Sequence, residues 1–320
     1  MPPSDYSHPK IVWVSMLCFV VFFLLWAICC GAPTKFPTST ADVFTVESGD
    51  SVETIANNLF AGGLLRFPFV FRTVVRLSGN ERALVAGDYA FTKPLDVFGL
   101  VSRISRGDFD LTPVRITIPE GLNKFEIADL LALDIAHFDR AVFIELAPEG
   151  YLFPDTYFFA RNATPETIVD TMRDNFDKKV STIAHRITAS RRSLEDIVSL
   201  ASIVELEARQ TETRRTVAGV LWKRLDENMP LQVDVSFKYI NGKTTAQITQ
   251  DDLALDSPYN SYKYRGLPPT PISNPGLDSL LAAIEPIKTP YLFFLSDSDG
   301  VMHYAKTFDE HKKNKAKYLR

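Results

Sequence analysis

Apolar residues recur at helical spacing through the middle of the chain, and the clearest series predicts a helix from Leu194 to Arg209. Ser193 is the predicted N-cap, and Asp196 follows three residues later, in an arrangement similar to a capping box. The apolar positions lie three or four residues apart and define one face: Ile197, Leu200, Ile203 and Val204.

Glu207 continues this apolar series, at i+7 from Leu200, and so points within about 20° of it. A carboxylate on a buried face is costly unless it is paired, protonated or lining a cavity, so Glu207 is a candidate acid. A structural ion pair with a nearby arginine (Arg209, Arg214 or Arg215) is the alternative. Glu205 falls about 140° from Leu200, near the edge of the apolar face, and is predicted to be structural.

The same patterns predict alternating helices and short strands over most of the chain. The predicted strands cover residues 44–46, 84–91 and 114–118, and the further helices cover 52–60, 68–77, 97–105, 124–133, 164–188 and 213–225. A hairpin at 291–304 and a basic helix close the chain. The predicted fold class is α+β.

Residues 11–32 contain no charged residue and are flanked by Lys10 and Lys35. Such a stretch is long enough to cross a hydrocarbon core of about 30 Å, so it is predicted to be an uncleaved transmembrane helix. The prediction includes a short cytoplasmic tail (1–10), a polar linker (33–41) and an extracytoplasmic remainder. All three cysteines lie within the predicted span, which excludes a disulfide scaffold elsewhere: Cys18, Cys29 and Cys30.

Composition and motifs exclude several classes of function. The net charge of −4 and the absence of a basic run interleaved with aromatics argue against nucleic-acid binding. No glycine-rich phosphate loop, nucleophile elbow or paired-histidine zinc pattern is present. Residues 297–300 resemble the start of a calcium loop, but position 12 is Phe308 instead of glutamate. We therefore predict neither a metal nor a cofactor.

Residues 259–276 combine prolines, glycines, tyrosines and asparagines, as expected of an ordered loop with groups that stack on sugars and bind their hydroxyls. A proline-rich structural segment is the alternative. An ordinary glycosidase needs two carboxylates, and Asp155 or Asp234 could be the second. One carboxylate suffices when the substrate supplies its own nucleophile, as the 6-hydroxyl of N-acetylmuramic acid can in peptidoglycan.

Five segments occur in an order that resembles the endolytic murein transglycosylases, the YceG-like family: EGYLFPDTYFF, LASIVELEA, LQVDVSFKY, SPYNSYKYRGLPPTPISNPG and KTPYLFF. The resemblance runs from about residue 42 to the last residue. In that family the second glutamate of the helix motif is catalytic, and it corresponds to Glu207. The sequence departs from the family pattern at Leu206, Ala208 and Val235, which places the local tuning of the acid in question.

The resemblance implies a LysM-like subdomain, to which the segment VESGDSVETIANNL is similar, at residues 42–110. A mixed α/β catalytic domain then covers 111–320. The implied enzyme is a membrane-anchored lyase that cleaves the MurNAc–GlcNAc bond of nascent glycan strands and leaves 1,6-anhydro ends, with peptidoglycan synthases as partners. The predicted substrate contacts are Gln232, Asp234, Tyr259, Asn260 and Tyr262, with Gly266, Leu267, Pro268 and Pro269 shaping the cleft. A non-catalytic glycan-binding scaffold and a water-using muramidase are the alternatives.

Overall fold

The computed structural model describes residues 13–22, 43–91, 95–109, 113–135 and 138–319, and the chain divides between Pro113 and Val114 into two units. The predicted tail (1–10) and linker (33–41) lie outside the described residues.

The predicted transmembrane helix over residues 11–32 needs correction. Within the described residues, α1 covers only residues 13–22, which span about 15 Å, or half of a hydrocarbon core. No helix in the described part of the chain combines the length and apolar character needed to cross a membrane. Residues 11–12 and 23–32 lie outside that part. The finding contradicts the single-pass helix in the predicted fold class, and the membrane location derived from it is withdrawn.

The first unit contains one antiparallel pair of strands. Its elements are β1 (Val43–Val46), α2 (Val52–Ala61), α3 (Pro68–Leu77), a 3-10 helix (Asn80–Arg82), β2 (Gly87–Ala90) and α4 (Val97–Arg106). Val43 pairs with Ala90, and Val46 pairs with Gly87. The apolar faces of the helices form a core around Leu59, Phe71 and Leu100. The relation of this unit to LysM modules stays a prediction.

The second unit mixes helices with two further antiparallel pairs, β3–β4 and β5–β6. Its strands are β3 (Val114–Thr117), β4 (Thr156–Phe159), β5 (Phe293–Ser296) and β6 (Met302–Ala305). Its first helices are α5 (Lys124–Leu131), α6 (Arg140–Leu146), α7 (Pro165–Ser190), α8 (Leu194–Glu207) and α9 (Thr211–Asp226). The helices that follow are α10 (Val235–Asn241), a 3-10 helix (Thr245–Gln247), α11 (Gln250–Ala254), α12 (Leu277–Ile284) and α13 (Phe308–Tyr318).

Helix α8 begins as predicted, with the Ser193 hydroxyl accepting a hydrogen bond from the backbone N–H of Asp196, and it ends two residues earlier than predicted. Every residue from Ile197 to Val204 is buried, so this stretch is surrounded on all faces. The Ser202 hydroxyl donates to the Ser199 carbonyl and accepts from the backbone N–H of Ile272, whereas the Ser199 hydroxyl is buried without a hydrogen-bond partner among the described residues. Both ends of α8 reach the surface: Glu195 and Asp196 are exposed at its start, and residues 205–207 are partly exposed at its end.

Helix α9 packs against α8 and α12 and fixes their relative position. The Trp222 indole N–H donates to the carbonyl of Ala283, at 2.8 Å, which joins α9 to α12. A Cβ added at Gly219 would lie 2.0 Å from the Ile287 carbonyl oxygen, so the absence of a side chain allows the backbones to approach closely. Helix α8 also contacts α10, which directly follows Asp234.

Candidate active site

Glu207 is the last residue of α8, and it is half-buried. Burial and, to a lesser extent, the neighbouring Asp234 carboxylate raise the pKa of its carboxyl group from 4.5 to about 8, although a hydrogen bond from the backbone N–H of Val235 opposes the shift. The carboxyl group is therefore mainly protonated at neutral pH. A protonated carboxyl group that reaches a cleft is suited to general acid catalysis.

Asp234 immediately precedes α10 and is fixed by Tyr262. The Tyr262 hydroxyl donates to Asp234 Oδ1 at 2.5 Å. Burial and the adjacent carboxylates of Asp234 and Glu207 raise the pKa of this phenol above its ordinary range, so the hydroxyl keeps its proton and remains a donor. These three side chains form one electrostatic cluster.

The loop that carries Tyr262 is pinned to the segment before α10. The Ser261 hydroxyl accepts from the backbone N–H of Val233, and the Ser261 carbonyl accepts from the backbone N–H of Gln232, both at 3.0 Å. Asn260 is completely buried and accepts from the backbone N–H of Tyr262 while donating to the carbonyls of Leu253 and Leu255. Asn260 therefore positions Tyr262 from within the loop.

Gln232 is exposed, and its backbone has a φ of 52°, in the left-handed region that non-glycine residues rarely adopt. Its side-chain oxygen accepts from Arg224 Nη2 at 2.7 Å. Arg224 is buried and also donates to the carbonyls of Pro230 and Leu292. This guanidinium joins the segment before α10 to the chain that enters β5.

Glu207, Asp234, Gln232 and Tyr262 line a single cleft of about 1140 Å³ within the second unit. The ends of α8 and the segment before α10 form one wall. The β5–β6 hairpin and α13 form a second wall, whose cleft-lining residues include Phe293, Asp299, Phe308, His311, Lys312 and Lys315.

Arg214 pairs with Glu205, and no salt bridge among the described residues joins Glu207 to a cation. The Glu205 side chain is 4% exposed and lies 2.5 Å from Arg214 Nη2. Arg214 also contacts Asp278 at 2.9 Å and Glu120 at 3.7 Å, and Arg215 donates to the carbonyl of Glu285. Glu205 also accepts from the backbone N–H of Gly276, so its environment is that of a structural carboxylate.

The structure brings together only part of the predicted site. Gln232, Asp234 and Tyr262 share the cleft with Glu207. The remaining predicted contacts do not line it: Tyr259, Gly266, Leu267 and Pro268 line a separate cavity of about 10 Å³, Asn260 is buried in the loop, and Pro269 is exposed. Asp155, the other candidate for a second carboxylate, instead pairs with Lys179 near the start of β4.

Neither Arg224 nor the second wall, formed by the β5–β6 hairpin and α13, was identified from the sequence as part of the site. Arg224 follows Val217, Val220 and Leu221 at helical spacing, and this misplaced charge on an apolar face was a readable signal of a buried, paired guanidinium. The hairpin and the last helix are predicted as elements without a role, because residue spacing does not reveal that they line the same cleft as Glu207. Within the described residues no group of three or more His, Cys, Asp or Glu side chains could hold a metal ion.

A large cleft lined by an unpaired carboxyl group with a raised pKa is the arrangement expected of an enzyme that uses general acid catalysis. Residues 44–317 match the YceG-like family, and the chain belongs to that family. An endolytic murein transglycosylase of Bacillus subtilis is 32% identical, over 90% of this chain and 87% of the relative. A Streptococcus pneumoniae protein of the same name is 30% identical, over 86% of this chain but only 58% of its own length.

The fold is also similar to a solved structure. The crystal structure of a yceG-like protein from Listeria monocytogenes superposes with a TM-score of 0.59 at 28% identity, over 85% of this chain and 98% of that chain.

Proposed function

We propose that this protein is an endolytic murein transglycosylase in which Glu207 is the single acid–base group. The lyase class and the peptidoglycan substrate rest on the homologues in B. subtilis and S. pneumoniae. The observation that carries the role of Glu207 is its position: a half-buried, unpaired carboxyl group with a pKa raised to about 8 lines a large cleft.

The reaction needs one proton donor that then becomes an acceptor. Protonated Glu207 gives its proton to the glycosidic oxygen, which leaves as the 4-hydroxyl of GlcNAc as the bond to the MurNAc anomeric carbon breaks. The 6-hydroxyl of the same MurNAc attacks that carbon, and its proton passes to the Glu207 carboxylate. The products are a 1,6-anhydro end and a free 4-hydroxyl, no water is consumed, and Glu207 is protonated again.

The cluster around Glu207 supports these steps. The Asp234 carboxylate disfavours ionisation of Glu207 and so keeps the acid loaded. Its negative charge also faces the region where positive charge develops on the anomeric carbon in the transition state. Tyr262 holds Asp234 in place, and Gln232 presents an exposed amide on the same side of the cleft.

A water-using muramidase is a second candidate, because Asp234 lines the same cleft and is the carboxylate that such a reaction would require. The two mechanisms leave different chemical ends. Transglycosylation gives 1,6-anhydro-MurNAc, whereas hydrolysis adds water and gives a reducing sugar.

Mass spectrometry of digested glycan strands tests the proposal. Wild-type protein should release 1,6-anhydro products, and Glu207→Gln should release none while retaining its fold and strand binding. Glu195→Gln is the matched control, since Glu195 is exposed at the other end of α8. Reducing ends would identify a muramidase, and binding without cleavage by the wild type would identify a scaffold.

Nascent strands as the natural substrate, and peptidoglycan synthases as partners, are further inferences that rest on the family resemblance. Co-purification of the full chain with a synthase, abolished by competing soluble synthase, is the measurement that supports this partner. Its absence under crosslinking contradicts it.

A further inference from the structure

The second wall of the cleft carries two aromatic rings, of which Phe293 is half-buried and Phe308 is exposed. Phe293 and Phe308 have centroids 5.8 Å apart, and Phe308 is 59% exposed. The Arg224 guanidinium lies 5.2 Å from the Phe293 centroid and thereby supports this ring against the inner part of the cleft. Aromatic faces of this kind suit the apolar faces of sugar rings.

Lys315 lies on the same wall and differs from the other lysines of α13. It is exposed, lines the cleft, and pairs with no carboxylate among the described residues. Lys312 also lines the cleft, but its ammonium group lies 2.8 Å from Asp309. Lys313 and Lys317 do not line the cleft, because they project from other faces of the helix. Lys315 is thus the unpaired ammonium group of this wall.

Lys315 belongs to the electrostatic environment of the cleft interior. Together with burial and Arg224, it lowers the pKa of His311, whose ring stacks on Phe293 with centroids 5.3 Å apart. Arg224 in turn interacts with Tyr262, and Tyr262 with Glu207. A substrate group held at Lys315 therefore shares one continuous site with the sugar at Glu207.

The cleft has room for a branched substrate. Its volume of about 1140 Å³ exceeds the range of about 300–1,000 Å³ that is typical of small-molecule pockets. A glycan strand is linear, but each MurNAc carries a lactyl group to which a peptide stem is attached, and that stem has free carboxylates. An unpaired ammonium group that lines the same cleft as the acid complements such a carboxylate.

We propose that Lys315 binds a carboxylate of the peptide stem while Phe293 and Phe308 contact the strand, so that the cleft selects strands that still carry their stems. This inference rests on the proposed function. The shared chemistry is a carboxylate, which has two sources: a stem residue, or the lactyl carboxylate that an amidase exposes when it removes the stem.

Steady-state cleavage of two substrates separates these sources. The first is uncrosslinked strands with intact stems, and the second is the same strands stripped by an N-acetylmuramoyl-L-alanine amidase. Lys315→Ala should lower kcat/KM on stem-bearing strands by about two- to tenfold. Lys315→Glu should lower it further, because a carboxylate there repels the stem carboxylate. In both variants the kcat/KM on stem-bearing strands, divided by the kcat/KM on stripped strands, should fall below the wild-type ratio. Lys313→Ala is the matched control, with a wild-type ratio.

The proposal is overturned if Lys315→Ala keeps the wild-type ratio, either because activity is unchanged or because it falls by the same factor on both substrates. A larger loss on stripped strands also overturns it, because it assigns Lys315 to the lactyl carboxylate. Circular dichroism and thermal melting of each variant show whether it is folded. Failure of the proposed function has a different signature, since the wild type then releases no 1,6-anhydro product from either substrate.

Discussion

Arg214 Nη2 lies 2.5 Å from Oε1 of Glu205, so the buried guanidinium nearest the end of α8 is committed to the first glutamate of the pair and not to Glu207. The two glutamates therefore have opposite environments although only one residue separates them. Glu205 is paired with Arg214 in the interior, whereas Glu207 is unpaired within the described residues and opens onto the cleft.

Glu205→Ala should destabilise the protein by about 2–4 kcal/mol, because it leaves a buried Arg214 with only Asp278 and the more distant Glu120 as carboxylate partners. Denaturant unfolding monitored by fluorescence measures the change. Glu195→Ala, at an exposed position of the same helix, should cost no more than about 0.5 kcal/mol. Equal effects of the two substitutions would show that the ion pair contributes nothing.

The pH dependence of cleavage should follow the ionisation of Glu207. Wild-type kcat/KM should be level in mildly acidic and neutral buffer and decline as the pH rises through about 8, because the acid must be protonated. Asp234→Asn should move this decline to lower pH, since the Asp234 carboxylate raises the pKa of Glu207. Asp299→Asn, in the turn of the β5–β6 hairpin, is the control, and its kcat/KM should decline at the same pH as that of the wild type. Identical profiles for all three proteins contradict the proposed coupling.

The stability of the fold should also depend on Glu207. Its folded-state pKa of about 8 lies above the ordinary value of 4.5, so the native state holds this proton more tightly than the unfolded chain. The resulting stability is fully present below pH 4.5 and is lost as the pH rises through 8.

Glu207→Gln removes this loss. The free energy of unfolding of the variant, relative to that of the wild type, should therefore be greater at pH 8 than at pH 5. The difference should be about 2 kcal/mol, since one pH unit corresponds to about 1.4 kcal/mol and the partial exposure of Glu207 reduces the effect. Urea unfolding at both values measures it. Glu149, with a pKa raised to about 7 by burial, has the same sign and leaves some pH dependence in the variant. An advantage that does not change with pH contradicts the raised pKa.

Gly219→Ala should destabilise the protein by about 2–4 kcal/mol, although alanine is favoured over glycine in a helix by about 1 kcal/mol. The added Cβ would lie 2.0 Å from the Ile287 backbone oxygen, which cannot move aside as a flexible side chain does. Thermal melting gives the sign directly, and a higher Tm would mean that helix propensity outweighs the contact.

The sequence predicts α8 well because its signals are local: a serine N-cap, apolar residues at helical spacing and a polar end. It does not predict that residues 197–204 are buried on every face. Ser199 and Ser202 appear solvent-facing in the pattern, but Ser202 bonds to Ile272, which lies 70 positions away. The apolar run at 11–32 illustrates the opposite error, since composition favours a long helix and the described residues contain only a short one, at 13–22.

The candidate site shows the same division between local and distant information. Glu207, Gln232, Asp234 and Tyr262 were singled out by motif, and they share one cleft, although their roles stay predictions. Tyr259 and the Gly266–Pro268 segment lie elsewhere because the direction of the loop depends on bonds between residues far apart in the sequence, such as those of Ser261 to Gln232 and Val233. No pattern of spacing reports such bonds.

Arg224 gives the cleft a mechanical property. Its guanidinium reaches Gln232 on one wall and the Leu292 carbonyl at the entrance to the other, at 2.7 and 2.9 Å, from a buried position in α9. One guanidinium group thus forms hydrogen bonds with both walls of the cleft. Loss of the Arg224 side chain would therefore remove at one stroke a bond to the Gln232 amide and a bond to the chain that enters β5.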